Sequence, residues 1–336
     1  MSKRLKHRLR SVAVVAALLI LPQVVQERYF LHIVVMAGIY TIMTMSWNLL
    51  AGYSGQLNLG HAAFFGIGAY SSALLAMKLG VSPWFGLLGG GVIAGFFGFL
   101  LGFPALRLSG PYLAITTIGF AEILRLVAVN WVDLTRGSLG LSGIPLLTPI
   151  RLGSWGMEFY FERDYYYVVL AAVVFTYFCM LRFTHSEFGV SLQALRDDEQ
   201  GAQSIGIHTS QYKLAVFTIS AFFAGMAGGL FAHFTRLVSP DTMSLHVTFD
   251  TLTMTMIGGL GTTAGPILGA VLLSLLSEWL RTLEDFFRMD IRLVLYGFLL
   301  ILTIRFMREG LVGVVRALKE GFSSYGKGRN AGGDHD

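Results

Sequence analysis

One acid–base pair and one acidic run stand out in a chain with few charges. Glu122 and Arg125 lie three residues apart inside an apolar stretch, a spacing that places both on one face of a helix. An ionisable residue inside a membrane points to function. Paired opposite charges also neutralise each other and fix packing. A packing ion pair and a transient contact for a zwitterionic solute both fit. Asp197, Asp198 and Glu199 form the acidic run. Such carboxylates suit a magnesium–diphosphate, but a second acidic cluster at a suitable spacing is missing. A third polar group comprises Asn48, Gln56, Asn58 and His61, which could line a polar path or satisfy broken backbone. His61 reads as a hydrogen-bonded residue at a helix start, since His233 and His246 lack ligand spacing with it. The one cysteine, Cys179, excludes a disulfide framework and a cysteine-rich metal site. Residues 258–265 are glycine-rich but lack the lysine of a phosphate loop, and neither His-Glu-x-x-His nor Gly-x-Ser-x-Gly occurs. No catalytic residue, metal or cofactor is therefore expected.

The elements that carry these residues follow from composition. Of 336 residues, 54% are hydrophobic and 13% charged, about half the roughly 25% charge of a soluble domain. Mean hydropathy is +0.64. So few charges cannot give this much apolar mass a water-soluble surface, whereas in lipid the apolar residues can face outward. The 40 glycines suit membrane helices whose backbones approach closely. The net charge of +5 is concentrated at both ends and near one central loop. That is the positive-inside arrangement, not a nucleic-acid-binding patch.

A bilayer core takes about 20 apolar residues of helix. That ruler gives candidate spans at 12–21, 29–50, 60–79, 84–106, 112–129, 165–183, 214–235, 247–260, 265–280 and 291–306, about ten by the length rule. The expected fold is therefore an all-α integral membrane protein, some of its helices short or broken. Residues 1–10 form a basic cytoplasmic N-terminus, 11–307 a transmembrane domain, and 308–336 a cytoplasmic tail. Ten spans then put the loop 184–213 in the cytoplasm as well. Acids such as Asp133, Glu158, Asp241 and Asp290 gather on the opposite side, where 153–167 is rich in Trp and Tyr. Two glycine-rich stretches, 51–63 and 258–269, interrupt the apolar pattern. Tight turns at the membrane surface and broken helices beside a solute path both account for them.

The loop 184–213 is the longest polar stretch between two spans, and Leu192, Leu195, Glu199 and Ala202 give it a helical core at 3–4 spacing. A solvated connector and a handle for a soluble partner both fit that pattern. Within it, QGAQSIG at 200–206 resembles the EAA-x-x-x-G signature of ABC importer permeases, with Gln in place of Glu and Gly in place of the first Ala. Further stretches extend the resemblance: WNLLAGYSGQLNLGHAAFFGIGAYSSALL, GPYLAITTIGFAEILRLVAVNW, TFDTLTMTMIGGLGTTAGPILGA and the closing FMREGLVG. Together, in order and over nearly the whole chain, they resemble the branched-chain amino acid ABC transporter permease family (LivM type).

That resemblance implies a membrane-spanning permease in the bacterial inner membrane that forms half of a pathway. Its partners would be a second related permease, two cytoplasmic ABC ATPases and a periplasmic solute-binding protein. Arg196, Asp197, Asp198, Glu199, Gln200, Gly201, Ala202 and Gly206 would make the ATPase-coupling segment. Asn48, Gln56, Asn58, His61, Glu122 and Arg125 are the candidates for the translocation path. Branched-chain amino acids are the default solute by family. The sequence departs from the pattern at Thr135-Arg136-Gly137, where the family often has Thr-Gly-Gly. The nearest rival reading is an ion-coupled secondary transporter, which needs a carboxylate in mid-membrane. Glu122 is the best-placed carboxylate for that role, and Arg125 stands beside it.

Overall fold

The computed structural model describes residues 18–25, 27–105, 107–108, 110–152, 155–287, 291–306 and 310–313. The basic segment 1–10, most of the first expected span and nearly all of the tail 308–336 lie outside them. Residues 18–24 are helical. The long helices follow: α1 (Arg28–Asn48), which runs on into a π-helical turn at Leu49–Tyr53, α2 (His61–Leu79), α3 (Pro83–Ala105) and α4 (Pro111–Asn130). After the short α5 (Val132–Thr135) come α6 (Glu162–Thr184), α7 (Glu187–Asp197), α8 (Glu199–Ser204) and α9 (Thr209–Thr235). Then come α10 (Leu245–Gly259), α11 (Gly265–Phe287) and α12 (Ile291–Phe306), and residues 310–313 are again helical.

Among the described residues, six helices are long and apolar enough to cross a membrane: α1 with its π turn, α2, α3, α4, α6 and α9. Length alone does not reach the expected ten. α10 has 15 residues and α12 has 16, and α11 carries only a shorter apolar stretch, Gly265–Leu280. The fold is also not purely helical. β1 (Leu141–Ser142) pairs antiparallel with β4 (Leu237–Val238), and β2 (Ile150–Leu152) with β3 (Trp155–Met157). Both pairs lie in connections between spans, where the chain has no helix to satisfy its backbone.

The core is a three-helix contact of α2, α3 and α9, the most extensive in the molecule. Glycine makes it possible. A Cβ at Gly90 would come within 2.6 Å of the Gly68 carbonyl, one at Gly98 within 2.7 Å of the Phe217 carbonyl, and one at Gly225 within 2.9 Å of the Gly90 carbonyl. Helix backbones approach closely there, directly at Gly90 and with only the Ala221 and Ala94 methyls nearer at Gly98 and Gly225. Buried hydroxyls bond back to their own helices, as in Thr41 to the Ala37 carbonyl and Thr255 to the Thr251 carbonyl, each at 2.7 Å. No polar side-chain atom of theirs is then presented to lipid.

Interactions between non-neighbouring segments sort the connections onto two ends. At one end the π turn after α1 meets α7, because Arg196 donates to the Gly52 carbonyl. The turn between α10 and α11 joins the same end through Asn48. At the other end Lys78 donates to the Asp133 carbonyl, Trp84 to the Thr148 carbonyl, and β1 pairs with β4. The polar loop 184–213 thus lies at one end and Asp133 at the other. Arg136 takes a left-handed φ of 61° just past α5. This is the position where the resembled pattern has glycine, the residue that adopts that conformation without a steric cost.

Candidate functional site

The polar loop folds as two short helices rather than one. α7 buries Leu192 and Leu195 against the membrane helices. Asp198 is extended (φ −157°, ψ 106°) and separates α7 from α8. Its carboxylate accepts the Gln200 backbone N–H at 3.0 Å, which caps α8 and competes with continuing α7. The 3–4 periodicity survives this break, since Ala202 is again buried. Glu199 turns inward, with its Oε1 2.6 Å from Nζ of Lys213, whose side chain is 2% exposed. A lysine removed from water in this way is held by its ion pair, and the pair fastens α8 to the first turn of α9. Gln203 Nε2 donates to Thr209 Oγ1 at 2.8 Å and Ile207 N to the Ala202 carbonyl at 3.0 Å, closing the same junction. Gly206, at φ 89°, makes the turn.

The three carboxylates of the acidic run therefore point to three different partners. Asp197 accepts from Arg196 Nε at 3.1 Å, Asp198 caps its helix, and Glu199 pairs with Lys213. They do not converge on one cation. Arg196 sends its Nη1 3.0 Å to the Gly52 carbonyl, toward the membrane helices. Gln200 is exposed, and Gly201 packs on the Asp198 carboxylate, where a Cβ would approach to 2.6 Å. One outward residue was not among the sequence candidates. Ile205, 77% exposed, stands at the tip of the turn after α8. Its signal was an apolar residue between Ser204 and Gly206 where a solvated turn would be polar throughout.

A second cluster sits where α1 gives way to α2. The non-helical residues 55–60 run back along α1. Trp47 Nε1 donates to the Asn58 carbonyl at 2.8 Å, and Asn58 Oδ1 accepts from Gly60 N at 2.8 Å. Thr117 Oγ1 of α4 accepts Leu59 N at 3.0 Å, and Thr248 Oγ1 of α10 accepts Ala62 N at 3.1 Å. His61 opens α2, with Nε2 2.9 Å from Ser46 Oγ. Asn58 and His61 are fully buried and Gln56 nearly so. Among the described residues, Gln56 Oε1, Asn58 Nδ2 and His61 Nδ1 are buried without a hydrogen-bond partner. Asn48 works elsewhere: its Nδ2 donates to the Thr262 carbonyl and its Oδ1 accepts from Gly261 N, both at 2.8 Å.

Glu122 and Arg125 are not part of this cluster. They form a two-pronged ion pair on α4, with Nε–Oε2 at 2.9 Å and Nη2–Oε1 at 2.6 Å. Their side chains remain 49% and 29% exposed, on a helix that also exposes Ile115 and Ile123. The six path candidates thus divide into a buried set at the α1–α2 break and an exposed pair on α4.

Residues 29–304 match the model of the family described as branched-chain amino acid transport system / permease component. The chain is 35% identical over 323 residues to the high-affinity branched-chain amino acid transport system permease protein LivM of Salmonella typhimurium, covering 91% of this chain and 75% of that protein. It is 25% identical over 302 residues to the permease protein LivH of the same organism, covering 83% and 93%. A more distant relative, the autoinducer 2 import system permease protein LsrC of Yersinia pseudotuberculosis, is 25% identical over 225 residues, 65% of this chain and 56% of that one. No solved structure matches the chain.

Proposed function

Because the chain belongs to the branched-chain amino acid transport system / permease component family, we propose that it is the membrane-spanning subunit of an ATP-driven importer for branched-chain or related hydrophobic amino acids. It crosses a bacterial inner membrane about ten times, α10, α11, α12 and a span before α1 adding to the six long apolar helices. The end that carries α7 and α8 faces the cytoplasm, as do both termini. A second, related permease completes the pathway, and two cytoplasmic ATPases and a periplasmic binding protein complete the importer. The presence of both LivM and LivH relatives in one organism supports the paired permeases.

The observation that carries the reading is the construction of the loop. α8 is clamped to α9 by a buried ion pair, while its far side presents Gln200, Ser204 and the apolar Ile205 to solvent. A connector needs neither a clamp nor an exposed isoleucine; a handle needs both. On α4, a charged pair facing lipid is costly, whereas the same pair against a wet cleft shared with the second permease is not. A zwitterionic amino acid matches it charge for charge.

The test is purification of the tagged chain from its native membrane in mild detergent. Co-purification of a second permease and two ATPases is expected. A chain that purifies alone and moves solute in liposomes without ATP overturns the reading in favour of ion-coupled transport.

A further inference from the structure

Arg196 reaches from the loop into both glycine-rich breaks. Its Nη1 donates to the Gly52 carbonyl in the π turn that ends α1. Its aliphatic stem lies over Gly55, where a Cβ would come 2.8 Å from Arg196 Cγ. The same Nη1 would lie 3.4 Å from a Cβ built on Gly261, in the turn between α10 and α11. Asn48 closes the group from the other side by binding Gly261 N and the Thr262 carbonyl. Gly55 and Gly261 have left-handed φ values of 68° and 73°. Bare backbone at these glycines is what lets one side chain touch two breaks more than 200 residues apart in sequence.

Residue type matters here. A guanidinium is planar, with donors fixed along its edges. One edge holds Asp197 through Nε and the other holds Gly52 through Nη1, so the plane cannot turn freely. The carbonyl it holds belongs to a π-helical turn, a geometry rare outside places where a helix must adjust. Displacing α7 would free that carbonyl and lift the arginine stem from Gly55 together, so the two positions of the loop differ in contacts that the breaks feel.

We propose that Arg196 is a positioning residue that carries displacement of the 184–213 loop to the ends of α1 and α10 at once, so that the two breaks move as a unit. This rests on the reading of the loop as the ATPase handle, and it assigns Arg196 to the membrane side of that handle rather than to the ATPase contact.

The test uses the assembled importer in proteoliposomes, with Cys179→Ser as background. Single cysteines at Leu57 and at Leu260, both exposed in their breaks, are labelled with a water-soluble maleimide with and without ATP. In the parent both probes are expected to change reactivity with ATP. In R196A neither changes and uptake falls by about tenfold or more, the factor expected from losing one charge-assisted bond. The ATPases still co-purify and hydrolyse ATP. A probe in R196A that still responds to ATP overturns the proposal. Loss of the ATPases from R196A also overturns it, since Arg196 would then be a docking contact. Should R196A fail to assemble, R196K keeps the charge and stem without the planar fork, and parental responses in R196K overturn the proposal. A parent chain that brings no ATPases with it removes the importer reading itself, a result distinct from any of these.

Discussion

The two glycine-rich breaks look alike in sequence and differ in the structure. Residues 54–60 are drawn into the protein. Ser54, Gln56, Asn58 and Gly60 are buried, and α1, α4 and α10 all supply hydrogen-bond partners to this segment or to the start of α2. Residues 260–264 form a partly exposed turn, with Thr262 Oγ1 donating to the Gly259 carbonyl and accepting from Gly265 N. The first break is a helix interrupted inside the fold, and the second is a surface turn between two helices. Side-chain chemistry separates them. The first break and the helix start after it take their partners from distant elements, through Trp47, Thr117 and Thr248, whereas Thr262 closes the second break locally and Asn48 ties it to α1. Glycine marks that the backbone leaves the helix, and its polar neighbours decide where the backbone goes.

Four substitutions sharpen or break this contrast. The largest effect is expected at Gly60, where any Cβ would collide with the Thr117 carbonyl of α4. Gly60→Val is expected to cost about 3 kcal/mol, read as a lower midpoint of thermal unfolding in detergent. A neutral result would show that the first break lies as loosely as the second. Asn48→Ala comes next, since it strips partners from Gly261 N and the Thr262 carbonyl and unties the breaks from each other. About 2 kcal/mol is expected, with faster proteolysis at 260–264 than at 54–60. Gly261→Ala is expected to cost about 1–2 kcal/mol for a side chain at left-handed φ, checked by the same unfolding assay. Thr262→Ala removes the hydroxyl at the start of α11 and is expected to cost about 1 kcal/mol. A cost for Thr262→Ala above that of Gly60→Val would reverse the ranking of the two breaks.

How much of this was readable in the sequence depends on the kind of signal. Long apolar runs announced the six long helices, because burying backbone in lipid leaves little choice but a helix. The short helices α10 and α12 were placed as spans by composition, while their lengths fall below that rule. The 3–4 spacing in the loop located its buried side correctly through Leu192, Leu195 and Ala202, yet it hid the break at Asp198. An aspartate reads equally well as a surface charge or a cap, and only the placement of Gln200 N decides. The sequence groups Arg196 with the residues that follow it in the ATPase-coupling segment. Its inward direction depends on Gly52 and Gly55, some 140 residues earlier in the sequence, which no local pattern connects to it. The two short strand pairs had no periodicity to read. The pair Glu122–Arg125 was legible from its spacing alone, because i,i+3 geometry on a helix is local.

The glycine-lined contact of α2 and α3 with α9 has a consequence for biosynthesis. α3 leaves the ribosome roughly a hundred residues before α9 does, which is on the order of ten seconds at usual elongation rates. During that interval its face at Gly91, Gly95 and Gly98, which meets α9 in the finished fold, lacks its partner, and acyl chains cannot fill a groove shaped for another helix. Nascent chains released before Thr209 would thus present an unfilled groove to the membrane's proteases. Quality control of this permease would accordingly discriminate at one point in synthesis, the moment at which α9 enters the bilayer.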